Sequence, residues 1–168
     1  LVCRWCANPE CLSGSPPMGF IESLCSGCGA CAEACAEGAI RTAEGEHRID
    51  YALCKSCGRC SDRCSYGALV RYGRTMTLAE VWGAVRRDKM FYEASGGGVT
   101  VSGGEPLLRP DFVRELFVLC RQDRIDTCVE TCGSVEPEAL LEVLGVTDHF
   151  LYDLKHMDPE VHRAYTGR

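Results

Sequence analysis

Two stretches of the 168-residue chain carry cysteines at a repeated spacing. Residues 25–40 read CSGCGACAEACAEGAI and residues 54–69 read CKSCGRCSDRCSYGAL, so each contains the pattern C-x2-C-x2-C-x3-C. This spacing is typical of bacterial ferredoxins, in which the fourth cysteine of one run binds the cluster of the other run. The pattern therefore predicts two [4Fe–4S] clusters, one bound by Cys25, Cys28, Cys31 and Cys64 and the other by Cys54, Cys57, Cys60 and Cys35.

Two other interpretations of the cysteines were weighed against this one. Fourteen cysteines approach the density of small secreted disulfide proteins, and spaced cysteines also bind zinc. No stretch of the sequence has the pattern of an export signal, and groups of three cysteines with a distant fourth fit zinc poorly. One departure from the ferredoxin pattern is that Ala36 and Ser65 replace the proline that usually follows the fourth cysteine. We favour clusters over zinc or disulfides.

Composition limits the classes of partner. The formal net charge is −6 and gives no basic footprint for nucleic acid. No apolar run approaches the roughly 18 residues that a membrane helix needs. We therefore expect a cytoplasmic protein that binds neither nucleic acid nor a membrane.

A different pattern begins after Cys64. Thr77 and Glu80 form a capping box, and apolar residues at helical spacing follow it. The glycines at 96–98 are expected to end this helix.

Strands and helices then alternate. Strands rich in β-branched or aromatic residues are predicted at 99–101, 127–129 and 150–152. A helix with Phe112, Leu116 and Leu119 on one face is predicted from Pro110. Two further helices are predicted to begin near Pro137 and Asp158. This alternation predicts βαβ units and a parallel sheet.

Polar groups follow each predicted strand. They are Ser-Gly-Gly-Glu-Pro at 102–106, Glu-Thr-Cys-Gly at 130–133 and Asp-Leu-Lys at 153–155. Because the carboxyl ends of parallel strands lie at one edge of a sheet, the three groups are expected to form one site.

The first eleven residues, LVCRWCANPEC, complete this picture. Residues 3–10 resemble the end of the C-x3-C-x2-C motif of radical S-adenosylmethionine (SAM) enzymes, and more narrowly of the activating enzymes of glycyl radical enzymes. The motifs at 103–106, 130–133 and 153–155 match the same family in order. The cysteine-rich insert is similar to that of the activases of glycerol dehydratase and of aryl-acetate decarboxylases.

The resemblance implies a fold and a domain order. We expect an α/β protein that is a partial TIM-like (β/α) radical-SAM barrel with an inserted two-cluster ferredoxin-like domain. The expected divisions are residues 1–15 for the end of the cluster motif, 16–72 for the insert and 73–168 for the barrel. The first cysteine of the motif would precede Cys3 by four residues, so the sequence is expected to be a fragment clipped at both ends.

The resemblance also implies a reaction. Such enzymes are oxidoreductases that reductively cleave SAM at a third [4Fe–4S] cluster to a 5′-deoxyadenosyl radical. The radical abstracts hydrogen from a backbone glycine of a partner glycyl radical enzyme. A flavodoxin or ferredoxin is the expected electron donor.

Individual roles carry over from matching positions. Cys3 and Cys6 would bind the radical-generating cluster, and Lys155 would contact the cofactor and take part in catalysis. The methionine amino group of the cofactor is expected to be held by Gly103, Gly104 and Glu105. A monovalent cation is expected to lie against the methionine carboxylate and to be held by Glu130, Thr131 and Asp153.

The remaining chemistry-bearing residues are expected to be structural. Trp5 would lie beside the cluster or in an ordinary core, and Cys11 is not expected to replace a ligand. The other such residues are expected in packing or on the surface; they are Cys120, Cys128, Cys132, His156 and His162.

Two alternatives from other classes stay open. One is an electron-transfer protein, in which a two-cluster ferredoxin module is fused to a fold without catalysis. The other is a radical-SAM enzyme that modifies a different substrate, such as a small molecule or RNA.

Overall fold

A computed structural model describes residues 2–7, 12, 18–43 and 46–168. The chain divides into two compact units. The larger comprises Leu1–Asn8 with Met76–Arg168, and the smaller comprises Pro9–Thr75. The expected division into a cluster motif, a two-cluster insert and a barrel remains a prediction.

The smaller unit contains two antiparallel strand pairs and two short helices. Strand β1 (Met18–Phe20) pairs with β4 (Leu69–Arg71), and β2 (Ile40–Ala43) pairs with β3 (Glu46–Ile49). Helices α1 (Ala30–Ala34) and α2 (Arg59–Arg63) follow the two cysteine loops, and a 3-10 turn covers Glu22–Leu24. Its core consists of Met18, Cys31, Ile40, Cys60 and Leu69.

The two halves of this unit repeat their backbone conformation. Gly29 and Gly58 precede α1 and α2 with φ angles of 76° and 83°, in the left-handed region. Two residues earlier, Gly27 has φ 72° and Ser56 has φ 51°. A left-handed non-glycine residue costs roughly 1–2 kcal/mol. The conformation of this loop is therefore imposed by its surroundings and not by local preference.

The larger unit alternates strands and helices, as predicted. Strands β5 (Gly98–Val101), β6 (Asp126–Thr131) and β7 (His149–Tyr152) form a parallel sheet in that order. A 3-10 turn covers Pro106–Leu108. The helices are α3 (Leu78–Arg87), α4 (Lys89–Ser95), α5 (Pro110–Gln122), α6 (Pro137–Leu144) and α7 (Pro159–Thr166). The α/β class is therefore confirmed.

The first helix differs from the prediction in one respect. The capping box forms as expected, with the Thr77 hydroxyl accepting from the Glu80 backbone N–H. However, the helix expected to run to the glycines turns at Asp88 and becomes two helices. Arg86 and Lys89, on either side of the turn, both face the carboxylate of Asp123 at 3.3 and 3.6 Å. These ion pairs fix the turn against the end of α5.

The core of the larger unit lies between α5 and the sheet. The fully buried side chains of α5 are those of Val113, Leu116, Phe117 and Cys120. The predicted face was right in part, because Leu116 is fully buried and the half-buried Phe112 packs against this core, whereas Leu119 is only half-buried. Burial raises the pKa of the Cys120 thiol to about 11, which agrees with the packing role predicted for it.

Close packing also explains a glycine at the start of the sheet. A side chain at Gly98 would collide with the backbone carbonyl of Asp126 in the neighbouring strand. Separately, none of the helices in the described part of the chain is long and apolar enough to cross a membrane.

The N-terminus of α7 gives a test of the fold. The Asp158 carboxylate accepts from the backbone N–H groups of Glu160 and Val161 at 2.9 and 3.0 Å. Replacing Asp158 by alanine should cost about 1 kcal/mol, whereas asparagine should cost little because it caps as well. Hydrogen–deuterium exchange should show faster exchange in the first turn of α7 for Asp158→Ala alone. Equal exchange in both variants would contradict the cap.

Candidate functional site

Two cavities in the smaller unit are each lined by four cysteines. Three cysteines of each set come from one copy of the repeat and the fourth comes from the other. One cavity is lined by Cys25, Cys28, Cys31 and Cys64. The other is lined by Cys35, Cys54, Cys57 and Cys60.

Backbone N–H groups point at several of the sulfur atoms. Cys25 Sγ accepts from Gly27, and Cys54 Sγ accepts from Ser56, both at 3.4 Å. Cys35 Sγ accepts from the N–H of Ala39 at 3.3 Å. Hydrogen bonds of this kind stabilise thiolates and the negative charge of a bound cluster, and so influence its reduction potential.

Cys64 shows the same effect on its acidity. Burial raises the pKa of its thiol, but the backbone N–H groups around the sulfur outweigh burial, and the net pKa lies below the usual value. These N–H groups belong to Tyr66, Ala68, Leu69 and Gly67.

The pKa values of the buried thiols in the smaller unit indicate which cysteines lie near each other. Burial raises the pKa of Cys31, and the charges of Cys28 and Cys64 raise it further. The equivalent Cys60 has a pKa raised by burial and by Cys54 and Cys35. Each buried thiol therefore lies near the fourth cysteine of the other copy. Among the described residues, no three metal-ligating side chains converge on the position of a single ion.

A second group of polar residues lies at the carboxyl edge of the parallel sheet. Gly103 follows β5 with φ 122°, a conformation suited to glycine, and the space that a side chain would take there is open. A ligand can therefore approach the backbone closely at this position.

Glu105 is fixed by four hydrogen bonds. Its Oε1 accepts from the Leu107 N–H at 3.1 Å and from the Thr131 hydroxyl at 2.7 Å. Its Oε2 accepts from the backbone N–H and the thiol of Cys132, both at 3.1 Å. The half-buried carboxylate thus joins the segment after β5 to the end of β6.

Cys132 therefore does more than the packing predicted for it. Burial raises the pKa of its thiol, followed by its hydrogen bond to Glu105. The only signal of this contact in the sequence is the position of Cys132 directly after β6. Cys128, by contrast, is simply half-buried.

The structure separates two residues that were predicted to act together. Thr131 is 2% exposed, and its hydroxyl is occupied by Glu105 and by the Gly133 N–H. Glu130 is exposed, because successive side chains of a strand point to opposite faces. The side chains of Glu130 and Thr131 cannot both reach one cation.

Lys155 and Asp153 are brought together after β7. Their ammonium and carboxylate groups form a close ion pair. The hydrogen bond to Asp153 raises the pKa of Lys155, and the charges of Cys3 and Cys132 add to this effect. The ammonium is thus held by Asp153, and Cys3 and Cys132 lie near enough for their charges to act on it.

The N-terminal segment is anchored on the end of α7. Val2 and Arg4 donate backbone hydrogen bonds to the carbonyls of Thr166 and Tyr165 at 2.9 and 3.0 Å. Cys3 is 8% exposed, and Cys6 closes a turn by donating to the Cys3 carbonyl at 3.1 Å.

Trp5 is not a core residue, and its expected place beside the cluster remains a prediction. It is 46% exposed and its ring packs at 5.6 Å from that of Tyr165. The predicted Asn-Pro-Glu motif at 8–10 and Cys11 lie outside the described residues. His156 and His162 make only local hydrogen bonds, in agreement with their predicted ordinary roles.

The site combines a cysteine turn, an open glycine and a lysine held by an ion pair. Comparisons with known proteins agree with this combination. Residues 54–168 match the radical SAM superfamily. The chain belongs to the radical SAM superfamily. Residues 24–68 match a 4Fe-4S dicluster domain. The alternation from β5 to α7 is the part of a radical SAM (β/α) barrel that the described residues show.

Several characterised proteins resemble the chain along almost all of its length. The (2S)-3-sulfopropanediol dehydratase activating enzyme of Klebsiella oxytoca is 41% identical over 99% of this chain and 54% of its own length. The choline trimethylamine-lyase activating enzyme of Oleidesulfovibrio alaskensis is 39% identical over 99% and 55%. The trans-4-hydroxy-L-proline dehydratase activating enzyme of Clostridioides difficile is 38% identical over 100% and 56%. The chain spans about half the length of these relatives.

The Glu105 network of this radical SAM chain can be tested through Thr131. Thr131→Val removes the shortest hydrogen bond to the carboxylate and should lower the free energy of unfolding by about 1–3 kcal/mol. Thr131→Ser keeps the hydroxyl and should be nearly neutral. Thermal unfolding followed by circular dichroism would measure the difference.

The matched control is Thr100→Val, because Thr100 is an exposed residue of the same sheet. Equal stability of Thr131→Val and Thr131→Ser would show that the hydroxyl does not hold Glu105.

Proposed function

We propose that the chain is the cluster-bearing part of a glycyl-radical-enzyme activating enzyme. The observation that carries the proposal is the meeting of Cys3, Lys155 and the Glu105 network in one unit. All three of the relatives described above are named activating enzymes. When bound, the cluster and SAM supply a 5′-deoxyadenosyl radical that takes hydrogen from a backbone glycine of the partner.

The residues at the sheet edge fit this cofactor. Cys3 and Cys6 present two thiols on one turn, as the family motif requires. Gly103 leaves room for the methionine end of SAM to approach the backbone. Gly104 follows directly, and Glu105, whose carboxylate already accepts four hydrogen bonds, would hold the methionine ammonium through its negative charge. Lys155, held by Asp153, supplies a positive charge to the cofactor.

We also propose a monovalent cation at this edge, with fewer side-chain ligands than the sequence predicted. The carboxylates of Glu130 and Asp153 are both exposed. Glu130 lies within β6, and Asp153 directly follows the neighbouring strand β7. Thr131 would contribute only through its backbone, because Glu105 occupies its hydroxyl.

Two further [4Fe–4S] clusters are proposed for the smaller unit, which makes three in all. The fit rests on four thiols around each cavity and on N–H groups that point at the sulfurs. These clusters would carry electrons from a flavodoxin or ferredoxin towards Cys3 and Cys6. Clusters and thiolates of this kind persist in a reducing compartment, so we place the reaction in the cytoplasm.

Electron paramagnetic resonance tests the proposed reaction. Anaerobically reconstituted, reduced protein that carries the complete three-cysteine motif should change its spectrum when SAM is added, and 5′-deoxyadenosine should appear. Cys3→Ala should abolish both effects because it removes a thiolate of the reacting cluster. Cys128→Ala should keep both, since Cys128 is not part of the site.

A different result would favour the alternative function. If the spectrum shows only ferredoxin-type signals that do not respond to SAM, the protein is an electron carrier. The paired cysteine cavities are the observation that keeps this second function in consideration.

Iron content tests the proposed exchange of ligands between the two copies. Cys25 and Cys64 line the same cavity, so Cys25→Ala/Cys64→Ala should lose no more iron than either single variant. Cys35→Ala/Cys64→Ala removes a ligand from each cavity and should lose about twice as much. If Cys25→Ala/Cys64→Ala loses the iron of both clusters, each run binds its own cluster.

A further inference from the structure

The two copies of the cysteine repeat differ in charge. Residue by residue, Ser26, Ala30 and Ala34 of the first copy are replaced 29 positions later by Lys55, Arg59 and Arg63. Thr42 is likewise replaced by Arg71. Residues 25–38 contain two glutamates and no cation, whereas residues 54–67 contain three cations and one aspartate.

Two of these cations line the second cavity and a third approaches it. Lys55 and Arg59 line it, and the side chain of Arg71 lies 3.6 Å from the position that a Cβ would take at Gly58. Lys55, with a side chain 71% exposed, pairs with Glu37 at 2.8 Å. The lining of the first cavity contains no charged side chain among the described residues. We call Lys55, Arg59, Arg63 and Arg71 the basic surface.

Exposure does not favour the second copy, because Cys25 is exposed whereas the equivalent Cys54 is half-buried, but charge does favour it. Cys28 and Cys57 occupy equivalent positions and both are exposed. At the position of Arg41 the first copy carries a cation and the second copy does not. The guanidinium of Arg41 pairs with the carboxylate of Asp50 at 3.9 Å. A second group of cations, on α3 and α4, is paired with Asp123 and Glu93. The basic surface is thus a cluster of four cations, one of them paired with Glu37, in a chain of net charge −6.

We propose that the basic surface is where an acidic ferredoxin docks and that electrons enter at the cavity of Cys35, Cys54, Cys57 and Cys60. The proposal rests on the proposed function, because it assumes that this cavity holds a cluster. In each transfer the reduced ferredoxin loses one electron, the cluster gains one, and no proton moves. Opposite charges on two proteins steer their encounter and raise the association rate.

Stopped-flow mixing with a reduced, strongly acidic [2Fe–2S] ferredoxin tests the proposal. The variant Lys55→Ser/Arg59→Ala/Arg63→Ala carries the residues that the first copy already has at these positions. At low ionic strength its second-order rate constant for cluster reduction should fall about tenfold. The difference should shrink as salt shortens the screening length.

The matched control removes three exposed cations from the larger unit, in Arg87→Ala/Arg124→Ala/Arg163→Ala. It changes the net charge equally and should keep the wild-type rate. An unchanged rate in the first variant, or an equal loss in the control, would overturn the proposal. Reduction by dithionite and the iron content of each variant show whether the clusters are intact.

A measurement on the unaltered protein covers the case in which the variant does not assemble. Carbodiimide crosslinking to the ferredoxin should join Lys55 to a ferredoxin carboxylate, as mapped by mass spectrometry. Crosslinks confined to lysines of the larger unit would overturn the proposal. Cluster reduction is recorded before SAM is added, so failure of the radical chemistry would leave both results interpretable.

Discussion

The carboxylate of Glu105 is the contact on which the polar edge of the larger unit depends. It receives donors from the segment after β5 and from the end of β6, so the two loops keep a fixed separation. Parallel strands alone set the register of the backbone but leave the loops beyond them free. Because one side chain of the Gly-Gly-Glu-Pro motif carries this function, the glycines beside it can stay open to a ligand without loss of order.

The smaller unit solves a comparable problem with its backbone. Repeated left-handed residues turn N–H groups towards sulfur in both copies. Ser56 adopts this conformation although glycine occupies the equivalent position 27, so the geometry is required even where the residue type is unfavourable. Similar backbone conformation with different surface charge would let the two cavities serve different neighbours.

Much of this could be predicted from the sequence, and the exceptions have physical causes. Cysteine spacing predicted which thiols share a cavity, and runs of β-branched or aromatic residues predicted the three strands of the larger unit, because both are local patterns. The buried face of α5 was predicted only in part, since its apolar stripe is wide. The Glu105–Cys132 contact and the separation of Glu130 from Thr131 depend on tertiary distances and strand alternation, which motif matching ignores.

The attachment of Val2 and Arg4 to α7 has a consequence for the order of events during synthesis. Cys3 and Cys6 leave the ribosome well before Tyr165 and Thr166, which hold their segment. At typical elongation rates this interval is roughly 10–30 s. The strand pair of Phe20 and Leu69 is complete long before that. The smaller unit can therefore mature while Cys3 and Cys6 are still without their anchor.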